Sequence, residues 1–377
     1  MRHDPDLRVK GFLLRATCML LVFFCLSNAA KTVCAQTLAY VTHVGDETVS
    51  VINTETNTVL TSVVVGTNPA GLAITPDSTR VYVTNQVDHT VSVIDTATHT
   101  VIATITVGSD TTGGFPQDIA ITPDGSRAYT VNVSGFSSSV IDTVTNTVID
   151  TIPILGIRPF VIAITPDGTR AYVGGRDGFA VIDTATNTAS TTFIGGSQIL
   201  GVAITPDGTR VYMTDSNNNL VLVIDTASNA VIAAIPVGVF PTGIAITPDG
   251  NRAYVTNQNN TISVISTATN SVLDTIPVSF MVNDIAITPD GTRAYATGEQ
   301  GFDAGVFVID TAANSVITTI TLMRFAFRIA IAPASRSPQT KEQCKNGGWK
   351  NFGPPAGPFK NQGQCVSFIE RSSAARN

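Results

Sequence analysis

Ala73-Ile74-Thr75-Pro76-Asp77, then Arg80-Val81-Tyr82-Val83-Thr84-Asn85, then Val93-Ile94-Asp95-Thr96 is the stretch on which the fold turns, because it recurs. Ala-Ile-Thr-Pro-Asp begins at Ala73, Ala120, Ala163, Ala203, Ala245 and Ala286, and a decayed copy starts at Ala330. Each intact copy carries an Arg three residues after its Asp and then a Tyr, from Tyr82 to Tyr295. Val-Ile-Asp-Thr follows at Val93, Val140, Val181, Val223 and Val308, with variants at Val51 and Val264. Successive Asp of the first motif lie 47, 43, 40, 42 and 41 residues apart. A period near 40 with about four short β-branched runs per unit is the sequence signature of a propeller blade.

Within the second unit the runs 71–75, 80–84, 90–94 and 100–107 read as strands. Thr75-Pro76-Asp77 supplies the first turn, since Pro presets φ and Asp tolerates the bend. The alternation Thr90-Val91-Ser92-Val93 fits a strand packed between neighbours. The repeat region opens with Ala39-Tyr40-Val41-Thr42, a second strand with no first strand before it. It ends at 328–332, a first strand with no second after it. These halves predict an all-β, seven-bladed propeller closed by pairing the C-terminal strand with the first blade, which removes open edges.

Composition agrees with one large β domain, although 377 residues would ordinarily suggest two or three. Charged residues are 13% and hydrophobic ones 43%, which excludes a disordered chain and a coiled coil. From 36 to 336 the chain holds eleven Arg and no Lys against 24 Asp and Glu, so the body is acidic and repels phosphate backbones. The segment 337–377 is basic and Gly-rich. The predicted organisation is 1–35 a secretory signal peptide, 36–336 the propeller, and 337–377 a tail.

The signal reading rests on Arg2, Arg8, Lys10 and Arg15 before the apolar run 16–26, with cuts expected after Ala29 or after Ala35. That run is shorter than the roughly 20 residues of a membrane anchor. Of five Cys, three lie in or beside the signal, and a cut after Ala35 leaves only Cys344 and Cys365. An even pair in an oxidising compartment reads as a disulfide, worth roughly 3 kcal/mol by loop-closure entropy. Two Cys without a nearby His make a poor metal site.

Tyr82-Val83-Thr84-Asn85 and Tyr254-Val255-Thr256-Asn257, with their Thr-Pro-Asp and Val-Ile-Asp-Thr companions, resemble the YVTN β-propeller repeat. The resemblance covers roughly 38 to 336, with departures at Tyr172-Val173-Gly174-Gly175 and Tyr295-Ala296-Thr297-Gly298. That family includes archaeal surface-layer proteins and exported bacterial YncE-like proteins, so the resemblance implies an exported propeller, periplasmic or at the cell surface. Related propellers include lactonases, an antibiotic lyase and cofactor-bearing oxidoreductases. The tail, with Cys344-Lys345-Asn346-Gly347-Gly348-Trp349 and Asn361-Gln362-Gly363-Gln364-Cys365, looks like a short module at the C-termini of other exported bacterial proteins.

A catalytic residue is needed once, so the repeated Asp and Arg read as architecture. Departures from the repeat are the candidates. Four residues before the Thr of Thr-Pro-Asp stand Gly71, Val161, Gly201 and Gly243, but also Asp118, Asp284 and, in the closing strand, Arg328. With Arg158, Arg176 and Arg324 on the same face, these predict a polar site at the channel mouth for a small anionic or zwitterionic group, because guanidinium forks suit carboxylates and phosphates. The alternative is that Asp284 and Arg328 neutralise one another and seal the channel. Phe115, Phe160, Phe240, Phe280, Phe325 and Phe327 sit in the same loops, either as anchors for a peptide or sugar or as a hydrophobic plug.

His43, His89 and His99 form no three-ligand metal set, and no Ser or Cys nucleophile has evident partners. The leading expectation is a non-enzymatic binding module for an envelope protein or glycan, with no cofactor, no nucleic acid and no membrane anchor. An enzyme alternative, lactonase-like or lyase-like, requires a divalent cation held by Asp118 and Asp284. A structural surface-layer role is the third reading.

Overall fold

A computed structural model of the chain describes residues 37–108, 114–300, 303–322 and 324–332. The predicted signal peptide, the tail, and the Cys344–Cys365 pair lie outside the described residues, among which there is no disulfide. Every regular element among the described residues is a strand, and no helix there is long and apolar enough to cross a membrane.

The first sheet holds β1 (Leu38–His43), β2 (Thr48–Asn53) and β3 (Thr58–Val64). The second runs β4 (Pro69–Ile74), β5 (Arg80–Asn85), β6 (Thr90–Asp95), β7 (Thr100–Thr106). The third is β8 (Pro116–Ile121), β9 (Arg127–Asn132), β10 (Ser137–Asp142), β11 (Thr147–Pro153). Then follow β12 (Arg158–Ile164), β13 (Arg170–Asp183), β14 (Thr188–Ile204), β15 (Arg210–Asp215), β16 (Leu220–Asp225) and β17 (Val231–Pro236). The fifth sheet is β18 (Pro241–Ile246), β19 (Arg252–Asn257), β20 (Thr261–Ser266), β21 (Ser271–Pro277). The sixth is β22 (Met281–Ile287), β23 (Arg293–Gln300), β24 (Asp303–Asp310), β25 (Ser315–Leu322). Last comes β26 (Ala326–Ala332), which pairs antiparallel with β1, Leu38 opposite Ala332, and completes the first sheet.

The chain is thus an all-β propeller of six sheets, five of four strands and one of six, and the expectation of seven separate blades is corrected. The cause is local. β13 runs without a break through Gly174-Gly175-Arg176, and β14 runs without a break from Thr188 to Ile204. Arg176 pairs with Gln198, while from Ile199 onward the same β14 pairs with β15. Two sequence repeats are thereby stitched into one six-stranded sheet.

Burial follows strand position. Second and third strands such as β5 and β6 are buried almost throughout, because both faces are covered by neighbouring sheets. Fourth strands such as β7 form the exposed rim. Apolar clusters sit between units: Tyr129, Val131 and Val140 pack against Ala171, Val173 and Ile182 of the next.

The repeated polar residues are architectural. The Asp77 carboxylate accepts from Thr75 Oγ1 at 2.6 Å and from the Thr79 N–H at 3.0 Å, clamping the Thr-Pro-Asp turn. Asp95 accepts from the N–H groups of Ala97 and Thr98, clamping the next turn. In six of the seven sequence repeats the Arg and Tyr then latch the unit to its neighbour. Arg80 donates to the Thr143 carbonyl and Tyr82 donates to Asn146 Oδ1. The same pair of bonds recurs around the ring, ending with Arg293 to Thr54 and Tyr295 to Asn57, which ties the last unit to the first. Each accepting Asn stands at positive φ, which Asn tolerates better than most residues.

Candidate functional site

The inner strands place the register position of Gly71, Asp118, Asp284 and Arg328 inside the ring. On β8, Asp118 Oδ2 accepts from the Ile162 N–H of β12 at 3.1 Å. On β22, Asp284 Oδ2 accepts from the Ile329 N–H of β26 at 3.0 Å. Each carboxylate therefore staples its own inner strand to the next. Arg328 enters from β26: its Nη1 lies 3.4 Å from Asp284 Oδ1, and its Nη2 donates across the ring to the Leu200 carbonyl at 3.3 Å. The side chains of Arg328 and Asp284 are only 15% and 13% exposed, so this pair is largely desolvated.

Charge in this setting is held by mutual neutralisation. Burial pushes the Asp118 carboxyl up to about 6, against the opposing pull of Arg328, with Asp284 raising it further. Burial works against the Arg328 charge, but Asp284 and Asp118 outweigh it and hold its pKa above the ordinary value. Arg328 also lies over the Phe327 ring, 5.6 Å from its centroid, and its buried Nε has no partner among the described residues. Space is as tight as charge: a Cβ on Gly71 would meet the Asp118 backbone at 2.5 Å, and one on Gly243 would meet Asp284 Oδ1 at 2.6 Å. Arg328 spans the ring at this level.

Above the plug opens a recess of about 700 Å³. Asp46 comes from the β1–β2 turn, Gln86 from the end of β5, Glu299 from the end of β23, and Arg324, Phe325 and Phe327 from the approach to β26. Arg324 forms an ion pair with Asp46. Gln86 accepts from the Asn68 amide and donates to Gln117, so both ends of its side chain are engaged. Glu299 is half-buried, and burial raises its pKa against the effect of a hydrogen bond from Asn283. Beneath the rim, His43 is buried between the Phe325 carbonyl and Ser50, and burial lowers its pKa. Two smaller grooves, of about 320 and 550 Å³ around Thr122–Ala185 and Thr247–Ala312, are built from the repeated turn residues.

The residues singled out in the sequence separate into three places. Asp118, Asp284 and Arg328 converge in the plug. Arg324 stands at the recess, already answered by Asp46. Arg158 and Arg176 are exposed and lie directly opposite one another on β12 and β13, away from both. The aromatics also part company. Phe280 stacks on Phe307 with centroids 4.4 Å apart, within the core, and Phe160 packs against a core cluster. Phe115 and Phe240 hold turns at positive φ, their N–H groups donating to His89 and Asn219. Only Phe325 and Phe327 line the recess. Asp46, Gln86 and Glu299 were not among the sequence candidates; the one available signal was that Glu is rare in the propeller, at Glu47, Glu55 and Glu299. Among the described residues no group of three or more His, Cys, Asp or Glu is placed to hold a metal ion.

No protein-family model matches the chain, and no curated protein matches it. Solved structures do. Hydrazine synthase of Kuenenia stuttgartiensis is similar with a TM-score of 0.63 at 22% identity, over 76% of this chain and 99% of that one. A functionally unknown protein from Desulfotomaculum acetoxidans DSM 771 gives 0.67 at 22% identity, over 78% and 99%. The dihydro-heme d1 dehydrogenase NirN, solved in complex with DHE, gives 0.61 at 14% identity, over 82% and 78%. At these identities the likeness is one of fold: the chain is a β-propeller.

Proposed function

We propose that the chain is an exported propeller acting as a binding module in the cell envelope, engaging its ligand, borne on an envelope protein or glycan, at the channel-mouth face. The observation that carries this reading is the recess of about 700 Å³ over a plugged channel, with a half-buried carboxylate and two Phe rings in its wall. Concave sites of this size that combine apolar walls with a few polar groups are where ligands bind. Export is supported by the charged and apolar pattern of 1–35 and by the even Cys pair, and the YVTN-like repeats point the same way.

The test is a photo-crosslinking amino acid placed at Phe325, at the recess, and separately at Val144, 80% exposed on the opposite face. Intact protein in its own envelope should form a defined adduct from position 325 and none from 144. Adducts of equal yield and identity from both positions would overturn the mouth-face assignment.

A further inference from the structure

We propose that the recess recognises an organic ammonium group, which deepens the binding reading above and rests on it. The positive groups near the recess are already answered. Arg324 is paired with Asp46 on the rim. Arg328 lies under the floor, facing Asp284 and Asp118. Gln86 is engaged at both ends. What is left unanswered is the carboxylate of Glu299, whose hydrogen bond comes from a neutral amide, Asn283.

The wall therefore carries two carboxylates against one guanidinium, and the plug beneath carries two against one again. An entering anion meets a negative excess at both levels, whereas a cation is drawn in. Half-exposed Phe325 supplies an open ring face, which attracts ammonium groups by about 0.5 to 2 kcal/mol, or roughly two- to thirtyfold in affinity, while one face of the Phe327 ring already carries the Arg328 guanidinium. Carboxylate and aromatic faces around one cavity are a donor set for a cationic head on an apolar body. Arg158 and Arg176, which would favour an anion, are on β12 and β13 and take no part in the recess.

Isothermal titration of the full chain with benzyltrimethylammonium, benzyl alcohol and benzoate separates charge from shape. The ammonium probe should bind about tenfold tighter than either of the others, as a charge-assisted contact implies. Glu299→Gln should erase that preference, and Phe325→Ala should weaken the ammonium probe about threefold. Arg324→Ala, by releasing Asp46, should tighten it. A preference for benzoate, equal binding of all three, an unchanged preference in Glu299→Gln, or no binding at all would each overturn the ammonium assignment. Crosslinking from position 325 is unaffected by these outcomes, so failure of the ligand class is distinguishable from failure of the binding face. Should Glu299→Gln not fold, as judged by its circular dichroism, Phe325→Ala and Arg324→Ala decide the matter, since both alter exposed side chains.

Discussion

One latch in the ring is unmade, and repairing it is a quantitative test of how the repeats hold together. In six units the buried Tyr hydroxyl donates to an Asn Oδ1 of the neighbouring turn at 2.7 to 3.1 Å. In the remaining unit Leu38 stands where the Arg should be, and His99 stands where the Asn should be. Tyr40 lies beside that turn, since Asp95, which opens it, joins burial in raising the Tyr40 pKa. Yet Tyr40 Oη and His99 Nδ1 are both buried without a partner. His99 holds φ at 55°, the same left-handed region as the Asn residues of the other turns, so His99→Asn requires no backbone change. The substitution should form the missing bond and end the burial of an unsatisfied hydroxyl. A net hydrogen bond contributes about 1 kcal/mol, and the relieved orphan adds to it, so a gain of roughly 1 to 2 kcal/mol is expected. Urea unfolding of the full chain, oxidised and at neutral pH, measures it. The controls sharpen the test. Tyr40→Phe should be neutral to stabilising by up to about 1 kcal/mol, because it deletes a buried group with no partner, whereas Tyr295→Phe should cost about 1 kcal/mol by orphaning Asn57. In a Tyr40→Phe background, His99→Asn should lose most of its gain. If the gain survives there, the latch account is wrong, because the two side chains are not coupled.

Other consequences follow from the plug. Arg328→Met removes the one cation that, among the described residues, faces two buried carboxylates and should destabilise by about 3 to 5 kcal/mol in urea unfolding, with part regained on adding Asp284→Asn. Asp118 gives a pH signature. Its carboxyl sits near 6 in the fold against an ordinary 3.8, with Arg328 and Asp284 the charges that face it. The folded state therefore holds this proton more tightly than the unfolded state. Its contribution is greatest below about pH 4, declines between about 4 and 6, and is flat above, a fall of roughly 3 kcal/mol in all. Asp118→Asn should remove that descent, and a variant whose stability-versus-pH curve parallels the parent refutes the assignment. Packing makes a last contrast. Gly201→Ala would put a Cβ 2.2 Å from the Thr242 carbonyl and should cost about 1 to 3 kcal/mol by thermal or urea unfolding, whereas Gly195→Ala has open space and should be within 0.5 kcal/mol of the parent.

The propeller was legible because nearly every unit makes the same bonds. A turn clamped by Asp77 and a latch made by Arg80 and Tyr82 require the same residue types at the same spacing each time, so the pattern shows in the sequence. The number of sheets was not legible, since it depends on the Arg176–Gln198 pairing, and no motif announces a strand that continues where its counterparts turn. The plug was visible as Asp118, Asp284 and Arg328 replacing Gly at a fixed register. The recess was hidden for a different reason. Its residues come from the ends of β1, β5 and β23 and the approach to β26, none of which shares a register, so only folding brings Asp46 against Arg324. The Asp284–Arg328 pair was one of the sequence readings, whereas counting arginines could not show that Arg324 already has its carboxylate in Asp46.

The same geometry supports placing the proposed binding on one face. Asp118 and Asp284 can fold into the ring only because the preceding units offer Gly71 and Gly243, where a Cβ would collide with them. At Gly201 the obstacle is the Thr242 carbonyl itself. A small residue therefore precedes each of these carboxylates, and at the same depth Arg328 reaches across the ring to Leu200. The opposite face is committed to turns and latches that close the ring, so a change there costs stability in every unit it touches. The mouth face carries no such shared duty. Its loops are free to differ from unit to unit, which is why the proposed ligand is assigned to that face.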